Sequence, residues 1–316
     1  MTIAGENSRS SVDPELVPML NAIPALSGLS DTTLEDLRAS LSASGSVMAD
    51  SRDLAVEQIS LSAVGDQPEI AAILYRPAGL ESPAAALLNL HGGGYVMGSA
   101  EREDAAMRSL AVDTRCIILS INCRLAPETP YPGRLNDCWT ALAWLHENAA
   151  RLEVAPDRIG VRGVSAGGGL AAALSLRARD AHSLPIAFLM LVYPMLDDRT
   201  EAQPYNGHFV WTAEANRYAW QAYLGACLAK PPRYAVPARA RDLTGLPPTF
   251  IATGSIDLFA RENLIWARRL SEAGVLVELH VYPGAYHGFP LVTGSRVAQR
   301  FEQDCRLAIA RALHSR

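Results

Sequence analysis

The stretch Ile159-Gly-Val-Arg-Gly-Val-Ser-Ala-Gly-Gly-Gly-Leu170 runs from a short apolar segment, through a serine flanked by glycines, into a run of small residues. Within it Gly163-Val-Ser-Ala-Gly167 has the G-x-S-x-G form, preceded by a predicted strand (Ile159 to Val164) and followed by a predicted helix (Gly168 to Asp180). Strand, sharp turn and helix in that order are what a nucleophile elbow needs. The serine adopts strained backbone angles, and a neighbouring chain passes so close that only small residues fit beside it. Such a motif arises often by chance, and the alternative is a glycine-rich turn at a strand end. The surrounding pattern favours the elbow.

Working outward, short apolar runs alternate with longer helical stretches from about residue 56 onward. Strands are expected at Val56 to Ser62, Ile70 to Arg76, Ala85 to His91, Cys116 to Asn122, Ala187 to Tyr193, Thr249 to Thr253 and Leu276 to Tyr282, besides Ile159 to Val164. Most are continuous apolar runs of the fully buried kind. Between them lie amphipathic stretches at Arg134 to Arg151, Arg261 to Gly274 and Ser295 to His314, each long enough to cross over a parallel sheet. Eight strands with intervening helices imply a three-layer α/β domain. The first fifty residues differ, being rich in Ser and Pro. Thr32 and Glu35 have the spacing of a capping box ahead of a helical stretch from Leu34 to Leu41. Residues 199 to 245 interrupt the rhythm with an aromatic, turn-rich insertion that holds Trp211, Trp220 and Tyr223 and is expected to sit over the sheet.

Composition narrows the classes of partner. The 316 residues carry 33 acidic and 28 basic side chains in scattered positions, which gives no footprint for nucleic acid or anionic lipid. The five cysteines form no C-x-x-C pair, so reduced and mostly buried thiols are expected rather than a disulfide framework or a zinc site. The amino terminus lacks the pattern of a signal peptide, and no apolar run approaches the roughly 18 residues needed to cross a bilayer. A cytoplasmic protein with a small-molecule partner is the expectation, with no membrane and no nucleic acid; a homodimer stays open. No H-E-x-x-H motif or comparable ligand cluster is present, so neither metal nor cofactor is expected.

A serine hydroxyl is a poor nucleophile near neutral pH and needs a base to take its proton, with an acid to orient that base. Of seven histidines, His287 follows a predicted strand in the loop Tyr282-Pro-Gly-Ala-Tyr-His-Gly-Phe289, where a ring can reach a cleft. For the acid, Asp257 follows the strand before it, in Thr253-Gly-Ser-Ile-Asp257, while Asp197 and Asp198 follow an earlier strand and are the alternative. Ser165, Asp257 and His287 in that chain order match the α/β-hydrolase arrangement. Upstream, His91-Gly-Gly-Gly94 ends another buried strand, and its glycines leave backbone N–H groups free to face a cleft as oxyanion donors. A phosphate cradle is the competing reading, but neither a P-loop nor a well-placed G-x-G-x-x-G accompanies it.

These residues, together with Cys123-Arg-Leu-Ala-Pro-Glu128, Tyr131-Pro132 and Asp137, resemble the hormone-sensitive-lipase-like family of α/β-hydrolases over roughly residues 55 to 312. Bacterial members of that family include carboxylesterases, acetyl esterases and heroin esterases. The resemblance implies an α/β-hydrolase fold: an eight-stranded, mostly parallel sheet with helices on both faces and a helical cap. Residues 1–50 and the insertion at about 199–245 would form the cap, on a catalytic domain of residues 51–316. It also implies Ser165 as nucleophile, His287 as base, Asp257 as acid, and backbone donors from Gly93, Gly94 and Ala166. The chain departs from the family at Val164, where many relatives carry Asp or Thr, and at Cys123, where tyrosine is usual. It departs again at Leu258-Phe-Ala-Arg-Glu262, where relatives often read P-L-R-D-E.

The expected activity is hydrolysis of carboxylic esters through an acyl-enzyme. Tyr95, Met97, Phe209, Trp211 and Phe289 are bulky residues near the motif loops or in the presumed lid, which points to a restricted pocket and short acyl chains. The alternatives are an amidase or thioesterase using the same three side chains, or a non-catalytic binding protein on a hydrolase scaffold.

Overall fold

The computed structural model describes residues 9–22, 26, 28–43, 53–62 and 68–314. Eight strands form one sheet: β1 (Leu54–Leu61), β2 (Ile70–Pro77), β3 (Ala84–Leu90), β4 (Ile117–Ile121), β5 (Val154–Val164), β6 (Phe188–Val192), β7 (Thr249–Gly254) and β8 (Val277–Tyr282). Their order across the sheet is β1-β2-β4-β3-β5-β6-β7-β8. β1 and β2 pair antiparallel over their whole length, Leu54 facing Pro77 and Leu61 facing Ile70. β2 is also antiparallel to β4, and the remaining pairs are parallel. All eight expected strands are present, with ends shifted by a few residues.

Among the described residues the helices are α1 (Val17–Ala22), α2 (Asp31–Ala43), α3 (Asp104–Thr114), α4 (Gly133–Glu147), α5 (Ala166–Ala181), α6 (Ala213–Leu224), α7 (Ala260–Glu272) and α8 (Arg296–Leu313). β3, β4, β6 and β7 are buried at every position because both faces of the sheet are covered. In β3, Leu88 and Leu90 join the core that includes α4, α5 and α7, while Ala85 and Leu87 join the core that includes α3 and α8. This is the three-layer α/β domain expected, and it has the α/β-hydrolase arrangement. No helix among the described residues is long and apolar enough to cross a membrane.

One local expectation is corrected. Thr32 does not cap α2: the helix begins at Asp31, Ser30 precedes it, and Thr33 Oγ1 accepts the Ser30 N–H at 2.9 Å. The contact at the helix start therefore joins Ser30 and Thr33, two residues before the expected Thr32 and Glu35, because Ser30 offers the same three-residue spacing at the true helix start. The insertion at 199–245 contains a regular helix, α6, whose amino end is capped by the Thr212 hydroxyl accepting from Ala215 N–H. Part of the 1–50 appendage lies outside the described residues, but what is described packs onto the body. Arg38 of α2 donates to the carbonyls of Val96 and Ala126 at 2.7 and 2.8 Å and pairs with Glu128. Tyr218 of α6 donates to Asp31 at 2.7 Å, joining α2 to the insertion.

Candidate active site

The parallel strands all deliver their carboxyl ends to one edge of the sheet, where ligand sites of open α/β sheets form. Ser165 follows β5 directly and has φ 55° and ψ −118°, a strained conformation for a residue with a side chain. Its backbone is tied on both sides: the Ser165 N–H donates to Val192 O at 2.9 Å, and the Ser165 carbonyl accepts from Met195 and Gly169. The turn admits only glycine at 167, where an added Cβ would stand 2.1 Å from the Leu90 carbonyl oxygen. That contact packs the elbow against the end of β3.

Asp257 and His287, the candidate acid and base, arrive on two loops that are hydrogen-bonded to each other. After β7, Ser255 N–H donates to Tyr282 O and Ile256 N–H to Ala285 O, and Gly284 N–H donates to Ser255 Oγ. Phe259 N–H donates to Asp257 Oδ1 at 2.8 Å, which leaves Oδ2 for His287 Nδ1 at 2.9 Å. His287 Nε2 lies 3.0 Å from Ser165 Oγ. With Nδ1 donating its proton to Asp257, Nε2 presents a lone pair to the serine hydroxyl, which is the tautomer a general base requires. All three side chains are buried, Asp257 almost completely.

Asp197 and Asp198, the alternative acids, are engaged elsewhere. Asp197 pairs with Arg199 at 2.9 Å and Asp198 with Arg239 at 2.6 Å. Asp197 lies below the ordinary carboxylate range: burial works to raise it, and the hydrogen bonds and charge of Arg199 outweigh that.

The loop after β3 runs beside the elbow, Leu90 facing Gly163 in the sheet register. Gly93 and Gly94 have φ 112° and 59°, and among the described residues no acceptor takes either N–H. The loop is held from behind: Val96 and Met97 N–H both donate to the Gly93 carbonyl. His91 at its base is neutral, its pKa held down at about 3 by burial and by the Arg134 charge. Ala166 opens α5 one residue past the serine.

Of the five residues expected to line a pocket, Trp211 is the one whose ring is in contact with His287. Its ring centroid is 6.3 Å from that of His287, and a Cβ added at Gly94 would meet its ring at 2.1 Å. Its indole N–H donates to Asn216 on α6 at 3.3 Å. Phe209 is half-buried against Tyr286, and Met97 is buried behind Gly93. Tyr95 and Phe289 instead have core partners. Tyr95 stacks on Tyr223 at 4.0 Å, and Phe289 packs among Tyr282 and Phe301.

Two rings beside His287 have no counterpart among the residues singled out from the sequence. Tyr193, immediately after β6, lies edge-on to the His287 ring at 4.5 Å, and Phe259 does so at 5.2 Å. Their one signal is position, each following a strand next to a candidate loop. Glu262 is also buried. Burial pushes its carboxyl well above the ordinary range against the opposing hydrogen bonds from Leu196 N–H and the Thr200 hydroxyl. With Asn263, which donates to Pro194 O at 2.7 Å, it fastens the loop after β6 to α7. Among the described residues no cluster of His, Cys, Asp and Glu could hold a metal ion.

Comparison with known proteins gives the same frame. A family profile described as alpha/beta hydrolase fold matches residues 87–291. Esterase LipI of Mycobacterium tuberculosis is 32% identical over 296 residues, covering 90% of this chain and 89% of its own. Carboxylesterase NlhH of the same organism is 33% identical over 293 residues, covering 89% and 90%. Among solved structures, that titled Bacterial Heroin Esterase superposes with a TM-score of 0.90 at 36% identity, covering 97% of this chain and 99% of that one. With a profile match over most of its length and likeness to these enzymes from end to end, the chain belongs to the hormone-sensitive-lipase-like family of α/β-hydrolases.

Proposed function

We propose that the protein is a carboxylic ester hydrolase that works through an acyl-enzyme, with Ser165 as nucleophile, His287 as general base and acid, and Asp257 as the group that orients the imidazole. The observation that carries this reading is the continuous chain of contacts, 3.0 Å from Ser165 Oγ to His287 Nε2 and 2.9 Å from His287 Nδ1 to Asp257. Ser165 loses its proton to His287 as it attacks the ester carbonyl, and the developing alkoxide is met by the N–H groups of Gly93, Gly94 and Ala166. His287 then returns the proton to the leaving alcohol. Water enters and is activated by the same imidazole, the acid leaves, and Ser165 is restored. A fluorophosphonate probe tests the nucleophile directly: it labels Ser165 with loss of esterase activity in the wild-type chain, and labelling at any other residue overturns the assignment.

The names of the relatives favour esters over amides and thioesters. We also propose that α2 and the 199–245 insertion with α6 form a single cap, since Tyr218 and Asp31 join them. Trp211 is the part of that cap that limits the acyl group. Rates on nitrophenyl esters are expected to peak at short acyl chains. Trp211→Ala is expected to raise kcat/KM for a hexanoyl ester relative to an acetyl ester by about tenfold, as removal of a steric limit in an apolar pocket does. A wild-type optimum at long chains overturns the short-chain assignment.

Gly94→Ala tests the donor loop. The new methyl would meet the Trp211 ring at 2.1 Å, at a residue with φ 59°, so the loop must move and its N–H must leave the alkoxide position. A fall in kcat of about 10²-fold with a smaller change in KM is expected.

A further inference from the structure

We propose that Cys123 and Cys138 are a modification site: a buried dithiol, set beside the Arg134 guanidinium, that a small hydroperoxide oxidises to an intramolecular disulfide behind the Gly93–Gly94 loop. Cys123 lies just past β4 and Cys138 on the second turn of α4, and their sulfurs are 3.7 Å apart. Both are buried, and both are free thiols. No other pair of thiols among the described residues is in contact. The sulfurs need only close from 3.7 Å to about 2.05 Å to bond.

The surroundings are unusual in their charge. Arg134 is fully buried in the first turn of α4, and its Nε and Nη1 find no hydrogen-bond partner among the described residues. Its Nη2 reaches the lone pair of His91 Nε2 at 3.4 Å, a weak and uncharged contact. The neighbouring carboxylate, Asp137, does not serve it. That group is taken up by Arg124, which approaches to 2.6 Å and also donates its backbone N–H. A buried cation without an anion is costly, so the Arg134 charge favours ionisation of the Cys123 thiol. Consistent with this, the Cys138 thiol and the Arg134 charge hold Cys123 below the ordinary thiol range against its burial. Burial and the charge on Cys123 push Cys138 well up, so it remains the protonated donor. The pair thus divides into an attacking thiolate and a resolving thiol. The two other buried thiols are of the inert kind: burial pushes Cys116 up to about 11 and Cys305 up to about 12.

The chemistry balances with one hydroperoxide. The Cys123 thiolate attacks one peroxide oxygen, forming an S–O bond as the O–O bond breaks; hydroxide, or the alkoxide of an organic peroxide, leaves and takes a proton. Cys138 then loses its proton and attacks the sulfenic sulfur, forming the S–S bond and expelling water. Two thiols are oxidised and the peroxide is reduced. Oxidation also removes the ionisable thiol beside Arg134, whose Nη2 contacts His91, the residue at the base of the glycine loop. Ala126 in the Cys123 loop is bonded to the same region through its N–H to Tyr95 O at 3.0 Å. Turnover should therefore fall when the bond forms.

The test exposes the reduced full-length protein to low hydrogen peroxide, then follows intact mass, thiol count after denaturation, peptide mapping and esterase turnover. The expected result is loss of two of the five thiols and of the mass of two hydrogen atoms. The expected cross-link joins Cys123 to Cys138, with a several-fold fall in turnover that dithiothreitol reverses. Cys138→Ser is expected to gain one oxygen on Cys123 instead, without a cross-link. Formation of no disulfide while other residues oxidise, or a cross-link that involves Cys116, Cys227 or Cys305, overturns the proposal. Thiol count and mass report on the pair whether or not the esterase assignment holds.

Discussion

Ser165→Ala is expected to lower kcat on an activated short-chain ester by on the order of 10⁶-fold, with KM little changed. Everything that holds the elbow is backbone, from the Ser165 N–H on Val192 O to the carbonyl that accepts from Met195 and Gly169. Removing Oγ should therefore leave the turn in place. Substrate still binds and the donor loop still faces its carbonyl, so a residue of catalysis over water, about 10³- to 10⁴-fold, is expected to survive. The measurement is steady-state kinetics on a nitrophenyl ester, with circular dichroism to verify folding. Retention of even a hundredth of wild-type turnover would sink the assignment of Ser165.

Asp257→Asn is expected to cost about 10⁴-fold in kcat while the fold survives. The reason lies in how the carboxylate is divided, Oδ1 to Phe259 N–H and Oδ2 to His287 Nδ1. An asparagine can keep its oxygen on the Phe259 N–H only by turning its NH2 toward His287. Imidazole Nδ1 must then accept, which places the proton on Nε2, and the ring can no longer take one from Ser165. Turning the amide the other way keeps the tautomer but sets two donors against each other at Phe259. Either arrangement weakens the base. Near-normal turnover in this variant would move the acid elsewhere, and Asp197→Asn and Asp198→Asn would then be the variants to measure.

The sheet was legible because its strands are buried on both faces, so runs such as Phe188 to Val192 read as continuously apolar. Their ends were less so, since pairing rather than composition sets them: β5 begins at Val154, well before the apolar run. The helix α6 was not legible as a helix. Its buried face, Ala215, Asn216, Ala219, Trp220, Tyr223 and Leu224, has helical spacing, but two alanines and an asparagine within it weaken the apolar stripe. At the site, Ser165, Asp257 and His287 could each be singled out because each follows a strand in a short loop with glycine close by. Tyr193, Phe259 and Arg134 could not, because their significance comes from neighbours distant in sequence. Arg134 in particular resembles an ordinary polar residue at a helix start until its burial beside His91 is seen.

The hydrogen bonds between the loops after β7 and β8 extend further than the site itself. Asp13 N–H donates to the Gly284 carbonyl, Tyr286 donates its hydroxyl proton to Leu16 O, and Glu15 pairs with Arg296. The loop that carries His287 is thus braced by a segment near the start of the chain. For protein engineering this makes residues 9–22 a poor place for a fusion joint or a trimming cut, even though their loss would remove little of the buried sheet. Damage there would register as a slackened imidazole before it registered as a lower melting temperature, so thermal shift alone would pass a shortened chain that turnover would reject.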